Sequence, residues 1–286
     1  MVRPERKTIA LTVDLEEWTV PQEFGGEPLS EKYSIGISEQ GTYRLLEILE
    51  QESIKVTFFV TAFFASRKPE ILKKVVELGH ETANHGLRHS PLKNQTYVEQ
   101  LTSLREAGKI IEKKAGSAPI GFRAPTLRID EATIRALKTL NYFYDSSILA
   151  TYVPGRYNRL RAPYMPFVWG ETGQSDIAKP LLEIPISVTP ILRVPVGWWW
   201  FRKNFGQHIC QLGFHAVWRR NQPVVCVVHP WELVKPPSAP SIPFHIRFNC
   251  GERSIEQLES LINYVKKVGG KFVTMSWIAN QFYDGV

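Results

Sequence analysis

Apolar, β-branched runs alternate with stretches of helical periodicity along most of this chain, and that alternation restricts the fold more than any other feature. Runs at residues 8–13, 56–60, 81–83, 121–123, 143–144, 182–186 and 224–228 read as strands. Between them, Ser38 reads as the cap of a helix carrying Leu45, Leu46 and Leu49. Pro69 opens a second, with Ile71, Leu72, Val75 and Val76 in phase, and Gly79 ends it. Val98, Leu101, Leu104, Ile111 and Ala115 mark one face of a third, and a fourth runs from Asp130 to about Leu140. Ser254 with Gln257 reads as a capping box ahead of Ile255, Leu258, Leu261, Ile262 and Val265, and residues 271–275 read as a closing strand. Such alternation implies an α/β fold with a mainly parallel sheet. No repeat or composition break appears, so a single domain over 1–286 is expected. It carries an irregular insert near 150–180 and, after the loop Pro236-Pro237-Ser238-Ala239-Pro240, a C-terminal loop-helix-strand extension.

Composition excludes several classes. At 43% hydrophobic and 22% charged residues the chain resembles an ordinary globular protein, and no apolar stretch approaches a membrane span. Residues 1–7 run into the first strand without the hydrophobic region of a signal peptide, so a cytoplasmic location is expected. Cys210, Cys226 and Cys250 are odd in number and far apart, which speaks against a disulfide framework. The net charge of +7 is spread in pairs such as Lys73-Lys74 and Lys266-Lys267 on amphipathic helices. That pattern is a solvated face rather than a nucleic-acid footprint. An anionic substrate or a transient contact with membrane headgroups stays open, as does a homo-oligomer.

Residues with chemistry stand at the C-terminal ends of the strand-like runs, where parallel-sheet and barrel enzymes build their sites. Asp14, Glu16 and Glu17 follow the first run; Asp14 and Glu16, two apart on an extended chain, can face one cavity. One would bind a metal and the other could serve as a base for water. His85 and His89, four apart, can grip one ion from the same side. His229 ends the run 224–228, where it can protonate a leaving nitrogen. Arg123 ends another run and needs a carboxylate partner, for which Asp14 is the natural candidate. The aromatic run Trp198-Trp199-Trp200-Phe201, with Trp18, Trp169 and Trp231, offers indole faces on which sugar rings stack. Together these residues describe a metal-dependent amide hydrolase.

In this order, Thr12-Val13-Asp14-Leu15-Glu16, the His85/His89 pair, Arg123-Ala124-Pro125, Asp145-Ser146-Ser147 and Val228-His229 resemble the motifs of NodB-type polysaccharide deacetylases. The Asp-x-Glu form of the first motif is similar to a subgroup that includes peptidoglycan deacetylase-like and exopolysaccharide-linked proteins. The resemblance implies a distorted (β/α) barrel and removal of N-acetyl groups from N-acetylhexosamine-containing saccharides, with release of acetate. It implies Asp14 as general base, oriented by Arg123, and His229 as general acid. Glu16, His85 and His89 would hold one divalent ion, zinc foremost, with cobalt, nickel or manganese as alternatives; Glu17 competes with Glu16 for that role. Trp18, Pro125, Trp198, Trp199 and Trp231 would border the saccharide. Where the family commonly has Ser or Thr after the first histidine, this chain has Gly86. The competing expectations are a metal-independent hydrolase of cyclic amides, similar to allantoinases, and an inactive carbohydrate-binding relative.

Overall fold

The computed structural model describes residues 7–170, 180–237 and 242–284. Its strands are β1 (Thr8–Leu15), β2 (Thr57–Val60), β3 (Glu81–Asn84), β4 (Gly121–Phe122), β5 (Tyr144–Asp145), β6 (Tyr152–Val153), β7 (Tyr157–Asn158), β8 (Phe167–Val168), β9 (Leu182–Glu183), β10 (Val224–Val228) and β11 (Lys271–Phe272). The main sheet runs β10-β1-β2-β3-β4-β5-β9-β8, with β11 also pairing β1. Every pairing in it is parallel except β8 with β9. The sheet curls into a half-barrel with helices outside, the distorted (β/α) barrel.

Strand alternation sorts β1 into two faces although all of it is buried. Ile9, Leu11, Val13 and Leu15 pack outward against helix residues such as Leu45, Leu46, Leu49 and Leu261. Ala10 points inward with Phe59, Ala83, Tyr144 and Val225. The same parity sends Thr12, Asp14 and Glu16 inward. The gap in the barrel is bridged by an irregular segment. Ser187 N–H donates to Val225 O at 3.1 Å, and Val227 N–H to Gly197 O at 2.8 Å. A Cβ on Gly197 would lie 2.1 Å from Val225 O, so only glycine allows this approach.

Three local readings need correction. The first long helix is Glu31–Gln51, capped at Ser30, so Ser38 is an interior, buried residue. The helix Glu252–Lys267 begins after Gly251, and Ser254 turns inward to meet Trp199 instead of capping it. The closing strand is present but shorter, β11 at Lys271–Phe272, and a helix, Met275–Asp284, follows it. Met275, Ile278 and Ala279 plug the base of the barrel, with Met275 N–H donating to Thr57 Oγ1 at 2.9 Å. The helices Trp199–Phe205 and Gln207–Trp218 were not anticipated. Residues 171–179 of the insert and 238–240 of the proline-rich loop lie outside the described residues.

Candidate active site at the C-terminal rim

Sheet register brings the chemistry to one level. Val13 pairs with Val228, Val60 with Asn84, and Asn84 with Phe122. Asp14, His229, His85 and Arg123 each follow one of these paired residues and emerge at the same rim. Glu16 and His89 lie just beyond it on short connections.

Glu16 Oε2 stands 3.1 Å from His85 Nε2 and 2.9 Å from His89 Nε2. The donor atoms of the three residues lie within 4.8 Å of one another. His85 Nδ1 is 2.8 Å from Arg123 O; a carbonyl can only accept, so Nδ1 carries the proton and Nε2 turns its lone pair inward. His89 Nδ1 meets Thr19 Oγ1 at 2.7 Å and Glu23 Oε1 at 3.6 Å, which directs its Nε2 inward as well. Arg156 from the insert holds Glu23 at 2.9 Å. One carboxylate and two imidazoles with fixed tautomers are a donor set that suits a zinc-type divalent ion. Glu17 does not compete: its Oε1 accepts His89 N–H and its Oε2 the Thr61 hydroxyl, each at 2.8 Å. Burial opposes charge on both Glu16 and His89, yet each stabilises the other. Glu16 is held well below the usual carboxylate range, and His89 is carried up to about 9. An incoming cation would compete with that proton, so metal affinity depends on pH.

Beside this cluster, Arg123 Nη1 donates to Asp14 Oδ1 at 2.6 Å. Its other donors reach Thr12 Oγ1, Ser146 O and Ser146 Oγ, and its face lies over the Phe59 ring at 4.1 Å. A fully buried guanidinium is thereby satisfied, and Asp14 is left with Oδ2 free. That oxygen lies 4.0 Å from His85 Nε2 and 3.9 Å from His229 Nε2. His229 Nδ1 is 3.1 Å from Glu232 Oε2, and Glu232 Oε1 is 3.1 Å from Lys203 Nζ. Burial disfavours the charged ring, but the Glu232 hydrogen bond, with the charges of Glu232, Glu16 and Asp14, carries His229 up to about 9. The arrangement therefore sets a carboxylate and a protonated imidazole face to face across the donor set.

The aromatic readings divide. Trp18 is wholly buried between Tyr33 and Trp231, and Trp199 is wholly buried with Nε1 on Ser254 Oγ at 2.9 Å. Both are core residues, which corrects their expected role on the sugar. The reason is helical: each step turns the face by about 100°, so at the start of Trp199–Phe205 Trp199 faces inward and its neighbours do not. Trp198 and Trp200, with ring centres 4.9 Å apart, do line the cleft. Trp231 stacks near His229 at 5.6 Å and shows only an edge. Trp169 packs against Phe167, away from the site. Pro125 is buried under Gly86 rather than lining the cleft. Gly86 has φ +85°, a left-handed backbone that a Ser or Thr would strain.

Sequence reasoning assigned no role to Glu232, Lys203, Glu23 or Thr126, and it named Trp200 only as part of the aromatic run. Only Glu232 left a signal, three residues after His229 where a turn returns it to the ring. Thr126 and Leu127, at φ 56° and 58°, push the chain after Arg123 into the cleft. Thr126 lines the cleft, and its Oγ1 is buried with no partner among the described residues. An inner chamber of about 100 Å³ over Asp14 and His229 opens into an outer groove of about 1150 Å³ walled by Trp198, Trp200, Tyr152 and Phe24.

With this geometry in view, comparison with known proteins places the chain. The polysaccharide deacetylase family model matches residues 2–144, half of the chain, and a domain of unknown function (DUF3473) matches residues 146–277. The chain belongs to the polysaccharide deacetylase family. It is similar to a peptidoglycan deacetylase-like protein of Gibberella zeae, 33% identical over 50% of this chain and 44% of that one. It is also similar to a peptidoglycan deacetylase of Helicobacter pylori, 25% identical over 62% and 60%. The chain thus spans less than two thirds of these curated relatives. Among solved structures, the PuuE allantoinase superposes with TM-score 0.72 at 17% identity over 98% of this chain and 91% of that one. A probable polysaccharide deacetylase from Pseudomonas aeruginosa gives 0.69 at 17% over 98% and 92%. Both likenesses speak to the fold.

Proposed function

We propose that the chain is a metal-dependent N-deacetylase that acts on an N-acetylhexosamine-containing saccharide and releases acetate. The observation that carries this reading is the placement of Asp14 Oδ2 and His229 Nε2, 3.9 Å apart, beside the Glu16, His85 and His89 donor set. A divalent ion held there, zinc by the chemistry of the donors, would supply Lewis acidity toward the amide carbonyl and the attacking water. Asp14, aimed by its hydrogen bond from Arg123, accepts a proton from that water. His229, kept protonated by Glu232, donates one to the departing amine. Trp198 and Trp200 offer stacking faces for the sugar rings. Support for a saccharide over a compact cyclic amide comes from the groove, which extends far beyond the chamber. The complete acid, base and donor set disfavours an inactive relative.

The test measures metal content together with acetate release from N-acetylglucosamine oligomers. Activity should be lost on chelation and restored by zinc or cobalt. His85→Ala should lose both metal and activity, whereas Asp14→Asn should retain the ion and lose turnover by about 10²-fold or more. Full turnover by Asp14→Asn, or by the chelated protein, would overturn the reading.

A further inference from the structure

Residues 189–194 form a closed turn. Thr189 N–H donates to Val194 O at 2.9 Å, Arg193 N–H to Thr189 O at 3.1 Å, and Val194 N–H to Thr189 Oγ1 at 3.0 Å. Turn tips favour small polar residues, yet this one presents Ile191 and Leu192, which are 82% and 80% exposed. Beside it, the helix Gln207–Trp218 is apolar on two sides. Cys210, Phe214 and Val217 enter the core, while Ile209 and Leu212 face out at 47% and 72% exposed. These four outward aliphatics line one shallow hollow together with Arg219 and Arg220.

The charge around this hollow is one-sided. From Ile184 to Trp231 the chain contains no Asp or Glu, while it carries Arg193, Arg202, Lys203, Arg219 and Arg220. Arg202 and Lys203 are buried, so Arg219 and Arg220 present the charge at the surface, and no described residue lining the hollow is acidic. Exposed aliphatics at a fixed tip, rimmed by cations with no acidic residue among the described residues that line the hollow, complement an anionic lipid surface. A second copy of the chain is a poorer fit, because a self-complementary interface here would bring like-charged arginines together.

We infer that this face docks on an anionic bilayer. Ile191 and Leu192 enter the boundary between headgroups and acyl chains, and Arg219 and Arg220 contact lipid phosphates. The turn leads through Pro195 to Trp198, both on the outer groove, so docking holds the groove beside the membrane. This inference does not depend on the reaction.

Flotation of the full chain with phosphatidylcholine vesicles, with and without about 30% phosphatidylglycerol, tests it. The wild type should float with the anionic vesicles and not the neutral ones, and about 1 M salt should release it. The Ile191→Ser, Leu192→Ser double variant should bind more than about tenfold more weakly, with circular dichroism and melting unchanged. Arg219→Glu with Arg220→Glu should also lose binding. Absence of flotation with anionic vesicles, equal binding to neutral ones, or double variants that float like wild type would overturn it. A dimer in light scattering that the aliphatic double variant dissolves, without flotation, would assign the face to a second copy instead.

Discussion

His229 owes its protonation to Glu232. Among the groups that raise its pKa, the hydrogen bond that Glu232 accepts from the ring is the largest, and Lys203 in turn holds Glu232 below its ordinary range against the cost of burial. A Glu232→Gln variant keeps the shape of the contact and removes its charge. The pKa of His229 should then fall, and with it the alkaline limit of kcat, by about one pH unit or more. A pH–rate profile of both proteins checks this; superimposable alkaline limbs would show that His229 is not the proton donor. The candidate residues Asp14, His85, Arg123 and His229 were legible because each stands at the end of a strand-like run, a position that sequence alone reveals. Glu232 left only its spacing from His229, and Lys203 left nothing, since its contact joins side chains 29 positions apart at one buried point. Trp18, on the connection after β1, and Trp199, at a helix start, misled for a related reason: an indole in sequence does not say whether its backbone turns it toward the core or the cleft.

At the level of elements, β5 and β9 set Asp145 beside Glu183 in direct register, both wholly buried. Asp145 Oδ1 accepts from Ser147 Oγ at 2.5 Å, and Ser147 Oγ also accepts Ala124 N–H at 2.9 Å, so the pair braces the strand end that carries Arg123. Burial pushes Asp145 up to about 6 and, with the neighbouring charge of Asp145, Glu183 well above its usual range. Both folded values are raised, so the folded chain retains protons that the unfolded chain releases near pH 4. The stability this pair contributes is present below about pH 4 and declines as pH rises through about 6. Asp145→Asn removes one ionisation and leaves an amide able to donate to Glu183. At pH 8 it should unfold later than wild type by on the order of 2 kcal/mol, a difference that shrinks toward pH 5. Denaturant melts at the two pH values decide it; a variant less stable at pH 8 would show that the pair is not proton-sharing. Long, periodic elements such as Pro69–Glu77 and Tyr97–Ala115 were legible from their apolar spacing. The two-residue strands β4, β5 and β9 were blurred, because so short an element takes its ends from its neighbours in the sheet rather than from its own sequence.

For the whole molecule, the two family matches divide the chain at residue 145, yet the sheet does not divide there. β1 lies between β2 and β10, and β11 pairs its first residues. The helix Met275–Asp284 plugs the barrel that β1, β2 and β3 begin, and His229 faces Asp14 from the other half. The family resemblance implied a barrel that brings His229 to Asp14, but the pairing of β1 with β10 and β11 was not legible from local pattern, since it joins residues more than 200 positions apart. A piece limited to residues 1–144 would expose the whole β10-facing edge of β1 and the inner face of the half-barrel. Unpaired edges and bare apolar faces of that kind produce aggregation or a molten state rather than a smaller native fold. The two segments should therefore fold as one unit. Expressed alone, residues 1–144 should bind ANS and melt without a cooperative transition, whereas the full chain should melt in one. Co-expression of residues 1–144 with residues 145–286 should recover the cooperative melt and bring Asp14 and His229 back together, so acetate release should return with it. A cooperative, ANS-negative 1–144 piece would mean that the first half closes its own core and that the second half is an addition to a finished domain.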